Sequence, residues 1–141
     1  RHVQRVGASL FMKFAIVVHG APYSDQAARS AYLFARSVIE EGHEIYRIFF
    51  YHDGVYNANL LSVPPQDEAY IESDWASLGR EHQLDMVVCI SSALRRGILN
   101  EAESNRYERV GTSINPIFTV SGLGQLIDAA IQADKLVTFG V

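Results

Sequence analysis

At 141 residues, 48% hydrophobic and 20% charged, the chain is the size of one domain and apolar enough to bury a core, which sets aside two independent domains and a disordered segment. Twelve Lys and Arg against sixteen Asp and Glu leave a net charge of −4, so no bulk positive field exists to hold nucleic acid by its phosphates. The single cysteine excludes an internal disulfide and a thiolate zinc cluster and suits a reducing compartment.

Residues 1–11, RHVQRVGASLF, lack the apolar stretch of a secretory signal, and Met12 opens a strand-like run. They read as a leader or loose extension, with residues 12–141 as the domain. KFAIVVH from Lys13 is a continuous β-branched run, as in a strand buried on both faces of a parallel sheet. GAPYSD follows, with Ser24 or Asp25 placed to cap a helix whose apolar positions are Ala28, Ala31, Tyr32, Ala35, Val38 and Ile39. Gly42 stands where a left-handed cap belongs, and EIYRIFFY is a second strand.

HDGVYNANLLSVPPQDE is the longest irregular stretch, with an Asp53-Gly54 turn signal and Pro64-Pro65. Its apolar members Tyr51, Val55, Tyr56, Leu60 and Leu61, in a chain with seven Tyr and seven Phe, predict an association surface; the alternative is a loop folded back over its own core. A second helix is expected between Asp67 and His82, with Ile71, Trp75 and Leu78 inward and Asp67, Glu68 and Glu72 early in the segment. DMVVCI forms a third strand ending at Cys89 and Ile90, followed by a helical connection broken at Gly97. IFTV is a fourth strand. Gly122 to Ala133 is a helix with Leu123, Leu126, Ile127, Ala130 and Ile131 at helical spacing, and KLVTFG is a fifth strand. The pattern predicts an α/β fold: a single-domain, three-layer arrangement with a five-stranded, mainly parallel sheet and helices on both faces. No apolar run approaches the ~20 residues needed to cross a bilayer, and no membrane partner is expected.

In such sheets function collects beyond the carboxyl ends of the strands, which directs attention to His19–Asp25, Tyr51–Asn57, Cys89–Arg96 and Ser121–Gly124. Cys89 precedes a segment whose helix N-terminus, and Arg95 and Arg96 more weakly, favour a thiolate. A buried cysteine acting as a small hydrophobe is the more ordinary reading of MVVCI, and spacing alone leaves both open. His2, His19, His43, His52 and His82 show no metal-ligand spacing, so no metal is assigned. His19 and His52, each just past a strand, are secondary acid–base candidates beside the simpler reading of hydrogen-bonded loop histidines. Ser121-Gly122-Leu123-Gly124 matches neither the dinucleotide fingerprint nor the P-loop, and a tight turn that needs glycine is the expectation.

Four segments, MKFAIVV from Met12, FFYHDGVYNAN from Phe49, VVCISSALRRGI from Val87 and SGLGQLIDAAIQADKLVTFG from Ser121, resemble in order and spacing the DsrE/TusD family of intracellular sulfurtransferase subunits. The resemblance spans Met12 to Gly140. It implies that Cys89 is the catalytic, sulfur-carrying residue and that the protein is cytoplasmic. It also implies a heterohexamer with two related subunits, two copies of each, and sulfur donor and acceptor proteins with reactive cysteines. No organic cofactor and no direct nucleic-acid contact are implied. YHDGV, PPQDE and LDMVVC resemble the branch that relays sulfur in dissimilatory sulfur oxidation; the alternative branch relays sulfur toward 2-thiouridine in tRNA. A rival of another class is a non-catalytic scaffold subunit with Cys89 merely packed. A flavodoxin-like nucleotide binder is a third reading, without a phosphate motif to carry it.

Overall fold

The computed structural model describes residues 4–6, 9–67 and 70–140. Glu68, expected early in the second helix, and residues 1–3 and 7–8 of the expected leader lie outside the described residues. Within that leader, β1 (Gln4–Val6) and β2 (Ser9–Phe11) pair antiparallel as a two-stranded sheet of their own.

The main sheet has five strands: β3 (Lys13–Val18), β4 (Glu44–Phe50), β5 (Met86–Cys89), β6 (Thr119–Ser121) and β7 (Lys135–Phe139). Their spatial order is β6-β5-β4-β3-β7 and every pairing is parallel. The fourth strand begins two residues later than IFTV suggests, because Ile117 and Phe118 complete the Asn115 turn, in which the Phe118 N–H donates to the Asn115 carbonyl.

Alternation along each strand sorts side chains to the two faces. Ile16, Val18, Ile48, Phe50, Met86 and Val88 meet α1 (Ala27–Glu40) and α2 (Ile71–His82) through Ala28, Ala31, Ala35, Val38, Ile71, Trp75 and Leu78. Asp25 accepts the Ala27 N–H at 2.8 Å at the start of α1, and Gly42 lies at φ +84° past its end. The connection after β5 is broken as expected, into α3 (Ile90–Arg95) and α4 (Glu101–Arg106), with Gly97 between them at φ +71°.

The opposite face carries Ala15, Phe49, Val87 and Cys89 and is covered by α5 (Gly124–Gln132). Arg47 ties α5 down: its guanidinium donates to Asp85 at 2.7 Å, to Asp128 at 3.0 Å and to the Gln125 carbonyl at 2.8 Å. The apolar stripe predicted for this helix is only partly buried. Ala129 is inside, whereas Leu123, Ile127 (61% exposed) and Ile131 (62%) face outward, and Leu136 of β7 is exposed as well. No helix among the described residues is long and apolar enough to cross a membrane.

The irregular stretch after β4 differs from expectation. His52–Ala58 winds into a 3-10 helix that buries Val55 and Ala58 and half-buries Tyr51 and Tyr56, leaving only Leu60 and Leu61 of the predicted association surface exposed. The loop folds back over its own core because Asn57, fully buried, gives it internal partners: its amide donates to the carbonyls of Gly20 and Gly54 and accepts the Trp75 indole N–H.

Candidate functional site

Parallel strands deliver their last residues to one edge. Val18 is in register with Phe50 and Phe139, Phe50 with Val88, and Val88 with Val120. The next residue of each strand therefore belongs to a row on the α5 face: Gly140, His19, Tyr51, Cys89 and Ser121. Cys89 is paired with Ser121, the His19 N–H reaches the Phe139 carbonyl at 2.8 Å, and the Tyr51 N–H reaches the Val18 carbonyl at 3.0 Å.

Cys89 is 1% exposed and packs with Phe49 and Val87 beneath Tyr51 and Leu126. It is the N-cap residue of α3, with extended backbone at φ −65° and ψ 120°, so the chain turns under its own sulfur. The Ser91 hydroxyl lies 3.5 Å from Sγ. Burial pushes the thiol pKa up, but the Ser91 hydroxyl, the Ser92 N–H and hydroxyl and the Ser91 N–H all favour the anion, and the net displacement is downward. These hydrogen bonds favour the thiolate, the form in which a cysteine acts as a nucleophile.

Ser92 joins this pocket to the 3-10 helix. Its hydroxyl accepts the His52 N–H at 3.1 Å, and its carbonyl accepts Arg96 Nη1 at 3.0 Å. Arg96 Nε also donates to Asp53 at 2.8 Å, so the Arg96 guanidinium positions the loop and the helix start. Arg95 is exposed.

His19 and His52, far apart in sequence, meet here. Their ring centroids are 5.2 Å apart; the His52 ring stacks on Tyr51 at 4.0 Å, and His19 meets Tyr51 edge-on at 5.6 Å. Burial, and then the neighbouring His52, hold the His19 pKa below its ordinary value. His19 Nδ1 is buried without a hydrogen-bond partner. His43 accepts the Met12 N–H elsewhere, and His82 lies beside Glu81 on α2; His2 lies outside the described residues. Among the described residues no group of three His, Cys, Asp or Glu side chains is placed to hold a metal ion.

The segment Ser121–Gly124 corrects its expectation. Neither Gly122 nor Gly124 adopts positive φ, and a Cβ at either would meet nothing within 4 Å, so the turn does not need glycine. The sequence directs attention to the segments that hold Tyr51, Asn57 and Ser92 but singles out none of the three for a role at the site. Tyr51 was findable from register, since a parallel pairing of the second and third strands sets it beside Cys89.

Residues 12–139 match the model of the DsrE/DsrF-like family. The chain is 54% identical over 129 residues to a protein of Allochromatium vinosum provisionally named sulfurtransferase DsrE, covering 92% of this chain and 99% of that one. It is 44% identical over 128 residues to the sulfurtransferase TusD of Salmonella enteritidis, covering 91% of this chain and all of the relative. Among solved structures, the ychN protein of E. coli superposes with a TM-score of 0.73 at 21% identity, over 92% of this chain and all of that one; at that identity the likeness shows the fold.

Proposed function

The chain belongs to the DsrE/DsrF-like family, and from that premise we propose that it is a sulfurtransferase subunit that carries sulfur as a persulfide on Cys89. One observation carries the reading: the chain's single thiol stands at the carboxyl edge of the sheet, its pKa drawn down by the hydroxyls and N–H groups of Ser91 and Ser92. The Cys89 thiolate attacks the terminal sulfur of a persulfide on a donor protein, holds it as Cys89–S–SH, and yields it to the thiolate of an acceptor. The sulfur stays bound to protein throughout, so no organic cofactor is required.

Identity of 54% to a DsrE protein against 44% to TusD supports dissimilatory sulfur oxidation as the setting, with 2-thiouridine synthesis in tRNA as the alternative. The protein acts in the cytoplasm, with two related subunits in a heterohexamer. The outward stripe of Leu123, Ile127 and Ile131 supports association, since side chains of this size in one contiguous patch mark interfaces. The rival is a scaffold subunit in which Cys89 is only packed.

Intact mass after incubation with glutathione persulfide separates these readings. A carrier gains one sulfur atom on the wild-type chain and none on Cys89→Ser. No gain on the wild type, alone or with its partner subunits, overturns the carrier reading in favour of the scaffold.

A further inference from the structure

We propose that His52 is the acid that protonates the departing sulfur when Cys89 takes a sulfur atom from its donor, an assignment that rests on the carrier reading of Cys89. Ser91 and Ser92 already supply the hydrogen bonds that hold the thiolate. What the chemistry still needs is a proton for the leaving group, because an ordinary thiol of pKa ~8.5 is protonated at neutral pH and leaves poorly as the bare anion. The Arg96 guanidinium is engaged by Asp53 and Ser92, and such a group does not give up its proton. The imidazole of His52 is suited to that role.

The geometry supports His52 in three ways. Its backbone sits at φ +50°, a region that histidine enters at a cost and in which Ser92 holds it through the 3.1 Å bond to its N–H. Its ring is stacked on Tyr51, which packs against Cys89, yet His52 itself is exposed to solvent. Behind it His19 presents a buried nitrogen with no partner, the kind of unsatisfied group that in a native structure asks for a functional reason. The Tyr51 ring contacts both members of the pair, and Asp53, next to His52 in the chain, is held by Arg96. Burial, and then the neighbouring His52, hold the His19 pKa below its ordinary value.

The step balances without an oxidant or reductant. The Cys89 thiolate attacks the terminal sulfur of R–S–SH and the Sγ–S bond forms. The R–S/S–H sulfur–sulfur bond breaks with its electron pair on R–S⁻, which takes the proton from the His52 imidazolium. The products are Cys89–S–SH, R–SH and neutral imidazole, which regains a proton from water.

The test compares two leaving groups on the full chain. Glutathione persulfide expels a basic thiolate that needs a proton. Dithiobis(nitrobenzoic acid) expels an aromatic thiolate that is stable as the anion and needs none. His52→Asn, chosen because Asn tolerates positive φ, is expected to slow loading from the persulfide about a hundredfold, the lower end of the range for a lost general acid. Its reaction with the aromatic disulfide and with iodoacetamide should stay within about twofold of wild type. His52→Gly, free at this φ, gives the same contrast should the Asn variant not fold. Equal slowing with both disulfide-type reagents overturns the assignment in favour of a structural role, and a persulfide rate within threefold of wild type overturns it outright. Either failure, with wild-type loading intact, leaves the carrier reading standing; absence of wild-type loading sinks both.

Discussion

Gly54→Ala tests whether the 3-10 helix is seated as described. A Cβ on Gly54 would stand 1.9 Å from the Val18 carbonyl oxygen and 2.8 Å from its carbon. A carbon–oxygen contact wants about 3.3 Å, so the two backbones must part by about 1.4 Å. Val18 lies in β3, paired on both sides, and cannot yield; the helix has to move. Moving it strains the Tyr51 N–H bond to Val18, the Gly54 N–H bond to Tyr51, the Asn57 bond to Gly54 and the His52 bond to Ser92. At about 1 kcal/mol net for each bond, and about 1–3 kcal/mol for overpacking, a loss of at least about 4 kcal/mol is expected. That is a large part of the ~5–15 kcal/mol typical of a domain. Urea unfolding of the variant should show the midpoint shift, with Gly122→Ala, whose Cβ meets nothing within 4 Å, unchanged as the control. Gly54→Ala within about 1 kcal/mol of wild type would refute the close approach.

Asn57→Ala strands the Trp75 indole N–H and the carbonyls of Gly20 and Gly54, and chemical unfolding should register a loss of at least about 3 kcal/mol, at ~1–3 kcal/mol for each stranded buried group. The pH midpoint of Cys89 alkylation by iodoacetamide should fall below the ~8.5 of a free thiol, rise in Ser92→Ala, and change little in Arg96→Ala, whose guanidinium bonds Asp53 and the Ser92 carbonyl; a midpoint at or above ~8.5 in the wild type would mean the serines give no help. Arg47→Ala should lower stability by about 2–4 kcal/mol, because hydrogen bonds to charged groups are the stronger kind, and should raise amide exchange in α5. Tyr46 and Arg47 hold the Asp128 pKa below its ordinary value, so this carboxylate stabilises the fold above the ordinary carboxylate range, and that contribution disappears as pH falls through the lowered folded value. Melting curves of Asp128→Asn should therefore be flatter with acidification than those of the wild type.

The alternation of strands and helices was legible because buried parallel strands write themselves as β-branched runs and amphipathic helices as a 3.6-residue period. Lys13–Val18 and Ala27–Glu40 carry both signals in pure form. The Tyr51–Leu61 segment was misread because its apolar residues have no period. What folds it inward is the polar Asn57, whose three buried hydrogen bonds no hydropathy pattern announces. The stripe on α5 was legible as apolar, but a sequence does not say whether a helix turns such a stripe to its own sheet or away from it. Cys89 stood out as the single thiol at a strand end. Its company did not, because His19, Tyr51 and Ser121 come beside it only through strand order, which is set by non-local pairings of Val18 with Phe50, Phe50 with Val88 and Val88 with Val120, and at the other edge by β3 with β7, as in the Lys13–Asp134 bond with a separation of 121.

That long pairing bears on how the molecule opens. β7 is an edge strand bound only to β3, and α5 buries fully only Ala129. Closing so long a loop carries a greater entropy cost than any local contact in the chain, growing as the logarithm of its length. The unit of α5 and β7 is thus one that can detach while β3 to β6 and the α1–α2 layer stay together. Leu126, which roofs Cys89, travels with that unit. Sub-global opening of one short helix and one edge strand therefore uncovers the sulfur without melting the pocket of Ser91 and Ser92 that holds its charge, and amide exchange should find α5 and β7 leaving first and together.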